Sequence, residues 1–154
     1  LVVKIQGGGT KLLERLQPGT EVPVNGPLGK AVDIGEYASI GLLVRGVGSA
    51  AVTFLAKEAF NGGRRVEGFI SANTSERLVC LDDLEAWSTK LHIATDDGSR
   101  GYQGNAADLL DSCLTEGGLD AVYTCGSKRF ARYIDTLDSA GRTRGFVFLE
   151  GYMA

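Results

Sequence analysis

From residue 39 onward, short runs of aliphatic and β-branched residues alternate with stretches whose apolar positions recur at helical spacing. The runs are SIGLLV (39–44), RVEGFIS (65–71), KLHIAT (90–95), DAVYTC (120–125) and GFVFLE (145–150). Between them lie helical candidates near 50–61, 81–87, 104–116 and 127–139. Regular alternation of this kind forces right-handed crossovers, and so a parallel sheet with helices on both faces. The pattern predicts a doubly wound α/β domain with a five-stranded parallel sheet.

The predicted boundaries have physical causes. FNGGRR ends the first helix with glycines that can adopt positive φ. CLDDLEAW sets Asp82 and Asp83 at a helix start, where unpaired N–H groups favour negative charge. TEGGLD and SAGRTR stop the third and fourth helices on glycine.

Residues 1–35 read differently: LVVKIQ, then GGGTKLLERLQPG, then TEVPVNGPLG. A strand, a glycine turn opening a short helix, a Pro-Gly turn and a second strand make an antiparallel β piece too small to fold alone. The expected division is 1–35, the end of a β domain, and 36–154, the α/β domain. The chain opens at Leu1 inside an apolar run and closes on FLEGYMA directly after a strand-like segment. A piece of a longer protein is expected.

Composition narrows the partners. With 154 residues, 44% hydrophobic and 23% charged, the chain has the make-up of an ordinary globular domain. Its net charge is −3, and Lys and Arg are scattered apart from GGRR and SKR. That leaves no broad basic footprint, so nucleic acid is not an expected partner. Three cysteines, an odd number without a CxxC pair, favour a reducing compartment. The expected location is the cytoplasm. No apolar run nears the roughly 20 residues of a membrane-spanning helix, so membrane insertion is not expected.

The candidate chemistry gathers where strands turn into helices. Gly46-x-Gly48-x-x-Ala51 ends one strand and opens a helix, the setting in which glycines admit a pyrophosphate to the helix N-terminus. A tight turn with no ligand is the alternative. A dinucleotide dehydrogenase would carry an acidic residue at the end of the next strand, for the ribose hydroxyls. That segment instead offers Ser71, Asn73 and Thr74, and Glu67 comes too early in the strand. A plain alcohol dehydrogenase is disfavoured for the same reason.

In ATDDGSRGYQG, Thr95, Asp96 and Asp97 stand at the carboxyl edge of the sheet, either to contact a sugar or cofactor or simply to form Asx turns. Adjacent aspartates project differently and make a poor acid/base dyad. Cys125 ends another strand on that edge, where it is either a core residue or a neighbour of a redox ring. His92, flanked by Leu91 and Ile93, reads as structural, and a single histidine cannot build a His-rich metal site. No metal site is expected. In QGGGTKLLERL, Thr10 is a candidate N-cap whose turn amides can also hold a phosphate.

Together, GGGTKLLERLQPGTEVPVNGPLG, LLVRGVGSAAVTFLAKEA, HIATDDGSRGYQGNAADLL, YTCGS and FLEGYMA resemble, in order and over essentially the whole chain, the ferredoxin–NADP reductase superfamily. Within it the likeness is greatest to electron-transfer subunits of dihydroorotate dehydrogenase and gamma subunits of sulfhydrogenases. The resemblance implies a flavin-binding β-barrel, of which 1–35 is the last part, followed by an NAD(P)-binding α/β domain and a C-terminal [2Fe–2S] segment. Electrons would pass from NADH through FAD and the cluster to or from a catalytic partner subunit.

It further implies that Gly8, Gly9 and Thr10 touch the FAD pyrophosphate. Gly46, Val47, Gly48 and Ser49 would touch that of the nicotinamide nucleotide, Thr95, Asp96 and Asp97 the cofactor as well, and Cys125 with Gly126 the nicotinamide. Neither FAD nor the cluster is expected on this stretch itself. Arg45, Ala51 and Ser127 depart from the family's glycine and two prolines. Arg45 either adds a cation for phosphate or obstructs the loop, and with the latter the chain would be a degenerate scaffold or regulatory domain. Where the superfamily often has G-x-R-[ST], whose Arg favours NADP, the chain has SANT, which favours NAD(H).

Overall fold

The computed structural model describes residues 2–26 and 28–148. The chain divides into two compact units, Leu1–Asp33 and Ile34–Ala154.

In the first unit one helix forms, α1 (Gly8–Glu14). It starts on Gly7, not on Thr10. Thr10 is the third helical residue, and its hydroxyl accepts from the amides of Gln6 (2.9 Å) and Gly7 (3.0 Å). The two expected strands are absent: among the described residues of 1–33 none is in a strand and none is buried. Val22, Val24 and Leu28 all face solvent. Two strands that lack a sheet to pair with and a face to bury do not persist as a ladder.

The second unit is a six-stranded, wholly parallel sheet in the order β4-β3-β2-β1-β5-β6. Its strands are β1 (Ser39–Arg45), β2 (Arg65–Ala72), β3 (Lys90–Thr95), β4 (Tyr102–Gln103), β5 (Ala121–Cys125) and β6 (Arg144–Val147). The helices are α2 (Ser49–Asn61), α3 (Leu81–Ala86), α4 (Ala106–Glu116) and α5 (Lys128–Ser139). The expected five strands become six because β4 was not foreseen: two residues between glycines are too few to show an alternation. The last predicted strand is seen as β6, and residues 149–150 of it lie outside the described residues.

Strand β1 is central and covered on both sides, which explains its unbroken apolar run. Ile40, Leu42 and Val44 join Val52, Leu55 and Ala56 of α2 and Leu84 of α3 in one core. Leu43 joins Leu110 of α4 and Phe130, Ile134 and Leu137 of α5 in the other. Asn105 accepts at 3.1 Å from the amide of Ala107, so α4 begins two residues later than predicted. Sequence neighbours β1 and β2 lie on one side of the sheet centre while β5 lies on the other. The order therefore reverses between β1 and β5, the crevice where open α/β sheets accept ligands.

Candidate functional site

The β1–α2 and β5–α5 turns meet at that crevice. Gly46 takes φ +53, and residues 46–48 form a single 3-10 turn that runs straight into α2. Gly48 has ordinary helical angles, φ −60 and ψ −19, so its backbone does not require glycine. Space does: a Cβ there would stand 2.6 Å from the Cys125 carbonyl oxygen and 2.7 Å from Gly126 Cα. Gly126, at φ +90, is packed the same way from the opposite side, since its Cβ would collide with the Arg45 carbonyl. The two glycines bring the chain ends of β1 and β5 into backbone contact.

No side chain caps the N-terminus of α2. Val47 is partly exposed, Ser49 is fully buried, and the Ser49 hydroxyl has no hydrogen-bond partner. A Cβ on Gly46 would meet no atom within 4 Å beyond its chain neighbours. Uncapped amides, an orphaned hydroxyl and open space beside the turn are features that fit an anionic group.

Arg45 leaves β1 sideways, toward the ends of β2 and β3. Its Nη2 donates to Asp96 Oδ2 at 2.6 Å and to Asn73 Oδ1 at 2.7 Å. Its Nη1 donates to Asp96 Oδ1 at 3.2 Å and to Ser71 Oγ at 3.5 Å. One guanidinium thus links three strand ends through a two-pronged carboxylate pair.

The rest of the β3–β4 loop supports itself. Thr95 is buried, and its hydroxyl donates to the Arg100 carbonyl and accepts from the Arg100 amide, both at 3.0 Å. Asp97 accepts from Ser99 Oγ at 2.6 Å and from the Ser99 amide at 3.0 Å, and these bonds hold its carboxyl below the ordinary range. Thr95 and Asp97 therefore shape the loop, whereas Asp96 engages the site. Cys125 reaches the crevice with its backbone, while its side chain packs in the core at 3% exposure.

A polar cluster that sequence reasoning did not find lies under α4. Glu67 Oε2 is 3.0 Å from His92 Nε2 and accepts from Cys113 Sγ at 3.3 Å, and the His92 ring stacks on Phe69. Burial raises the Glu67 carboxyl most, but the bonds from His92 and Cys113 together with the nearby Arg65 charge outweigh it and the net shift is downward. Burial and the Glu67 charge push the Cys113 thiol up to about 11. Glu67 as an acid midway along a strand was the only available signal. Among the described residues no group of His, Cys, Asp and Glu side chains is placed to hold a metal ion, and no helix is long and apolar enough to cross a membrane.

No family model matches the chain. The electron transfer subunit of dihydroorotate dehydrogenase B (NAD(+)) from Desulforamulus reducens is 28% identical over 154 residues, covering 99% of this chain and 59% of the relative. Its counterpart from Enterococcus faecalis is 31% identical over 141 residues, covering 89% and 53%. The solved structure of an NADH-dependent reduced ferredoxin-NADP oxidoreductase, described for flavin-based electron bifurcation, superposes with a TM-score of 0.85 at 26% identity, covering 98% of this chain and 55% of that one. The chain resembles the ferredoxin–NADP reductase superfamily. A hydrogenase C-terminal domain from Pyrococcus furiosus shares the fold, with a TM-score of 0.61 at 16% identity over 81% of this chain and 100% of that domain. The chain spans between half and three fifths of the length of these two curated relatives.

Proposed function

We propose that the chain supplies the nicotinamide-nucleotide site of an electron-transfer oxidoreductase subunit that works in the cytoplasm. The observation that carries this reading is the N-terminus of α2 at the sheet's crossover point, left without a side-chain cap and beside the buried, unpartnered Ser49 hydroxyl, on the turn that Gly48 packs against Gly126. The amides of this turn and the positive end of α2 would hold the nucleotide's pyrophosphate through Gly46, Val47 and Gly48. Ser49, through its orphaned hydroxyl, is the buried member of that set. Gly126, exposed at φ +90, and the Cys125 backbone would form the wall beside the nicotinamide. Arg45 does not stand in the way of this, because its guanidinium is committed to Asp96 and Asn73.

The glycines of the first unit fit the same reading. Cβ atoms on Gly8 and Gly9 would meet nothing within 4 Å, so no protein contact requires glycine there and the backbone is open to approach. With Thr10 they would serve an FAD pyrophosphate. In the whole protein, FAD and a [2Fe–2S] centre would turn the two-electron donor NADH into a source of single electrons for a catalytic partner subunit.

Calorimetric titration of the chain with NADH tests the nucleotide reading. The expected result is saturable binding that Gly48→Val abolishes; no heat from the folded protein with NADH or NADPH would overturn it.

A further inference from the structure

Asn73 follows β2, and the structure brings a guanidinium to that corner from another strand. Arg45 Nη2 lies 2.7 Å from Asn73 Oδ1, and Nη1 lies 3.5 Å from Ser71 Oγ. The same guanidinium is gripped by both oxygens of Asp96, at 2.6 and 3.2 Å. Arg45 is 19% exposed and Asp96 46% exposed, so the cation is sheltered while part of the carboxylate faces solvent.

The end of β2 is where α/β dinucleotide sites read the 2′ position of the adenosine ribose: acids bind a hydroxyl there and arginine a phosphate. We propose that Asp96 sets this preference, by neutralising Arg45 and so discriminating against a 2′-phosphate. The inference rests on the nucleotide reading above. A 2′-phosphate would have to displace Asp96 from a bidentate pair and then lie against the freed carboxylate. A 2′-hydroxyl meets no such conflict and can donate to the half-exposed carboxylate of Asp96. NADH preference then comes from a cation that is present and cancelled.

The test is calorimetric titration with NADH and NADPH of the wild type, Asp96→Asn, Arg45→Gln and the double variant, each checked for folding by Trp87 fluorescence. Asp96→Asn leaves Arg45 as an unopposed partner for phosphate and is expected to raise the affinity for NADPH relative to NADH at least about tenfold. Arg45→Gln, which leaves Asp96 unopposed, is expected to move the ratio the other way. The gain should vanish in the double variant. Binding of both nucleotides with a ratio unmoved, within about twofold, by Asp96→Asn would overturn this inference alone. So would a gain that survives loss of Arg45. No binding of either nucleotide to any variant would overturn the underlying reading as well.

Discussion

Replacing Gly48 by alanine isolates the contact on which the site depends. Because Gly48 has helical angles, alanine would otherwise be favoured there by about 0.4–1 kcal/mol through the unfolded chain. Against this, the new methyl would stand 2.6 Å from the Cys125 oxygen and 2.7 Å from two further backbone carbons, where ordinary contact begins at 3.4 Å. Neither partner is a side chain that can rotate away, so the two turns must separate by about 0.8 Å. Overpacking of this kind costs about 1–3 kcal/mol, leaving a net loss of about 1–2 kcal/mol. For a domain of this size that lowers Tm by about 3–8 °C.

Trp87, the chain's single tryptophan, packs edge-on against Phe60 at 6.3 Å in the α/β unit and reports its unfolding in urea. Gly46→Ala is the matched control, since it adds no clash but forces alanine to φ +53, for about 1 kcal/mol. The same Gly48→Ala protein should bind NADH more weakly because the turn has opened. A Gly48→Ala protein as stable as the wild type would refute the claim that close packing of the two turns requires this glycine.

Other predictions concern the groups around the site. Glu67→Gln should destabilise the fold by about 1–3 kcal/mol at neutral pH, because it removes the negative charge that strengthens the contacts with His92 and Cys113. Since the folded Glu67 pKa is depressed, its stabilisation is complete above the unfolded carboxyl pKa and is lost as pH falls through the folded value. The urea-midpoint gap between wild type and Glu67→Gln should accordingly narrow below about pH 4. Cys113, with a thiol pKa raised to about 11, should resist iodoacetamide in the native protein at pH 8 and react once unfolded, as peptide mapping would show. Asn105→Ala should cost about 1 kcal/mol in urea unfolding through loss of the α4 cap.

Legibility in the sequence followed the range of the forces involved. Strands β1 and β5 were readable because burial on both faces writes near-continuous apolar runs, β2 and β3 because of shorter aliphatic and β-branched runs, and the helices because α5 spaces Phe130, Ile134 and Leu137 on one face. The two-residue β4 was not, since it is created by a loop returning beside β3 and not by any pattern of its own. The first 35 residues misled because alternation such as VVKIQ and TEVPV states a preference for strands without supplying a sheet. At the site, the chain positions Arg45 and Asp96 are 51 residues apart, so their pairing is a product of strand order that spacing could not reveal.

The Gly46-x-Gly48-x-x-Ala51 spacing also changes meaning once each position is considered separately. Gly46 is required by its positive φ and Gly48 by the backbone of the β5 turn, while Ala51 is exposed on α2. Both glycines would be retained for the protein's own geometry even if no nucleotide ever entered, so their survival is not by itself evidence of binding. The features that the fold does not need are more informative: a helix N-terminus without a side-chain cap, a buried Ser49 hydroxyl left without a partner, and a guanidinium held beside the end of β2 by an acid. Each costs the isolated fold something or gives it little, and each has the chemistry of one part of a dinucleotide. That is why the decisive variants are Asp96→Asn and Arg45→Gln: they alter what a ligand would meet while leaving intact the glycines that the fold itself requires.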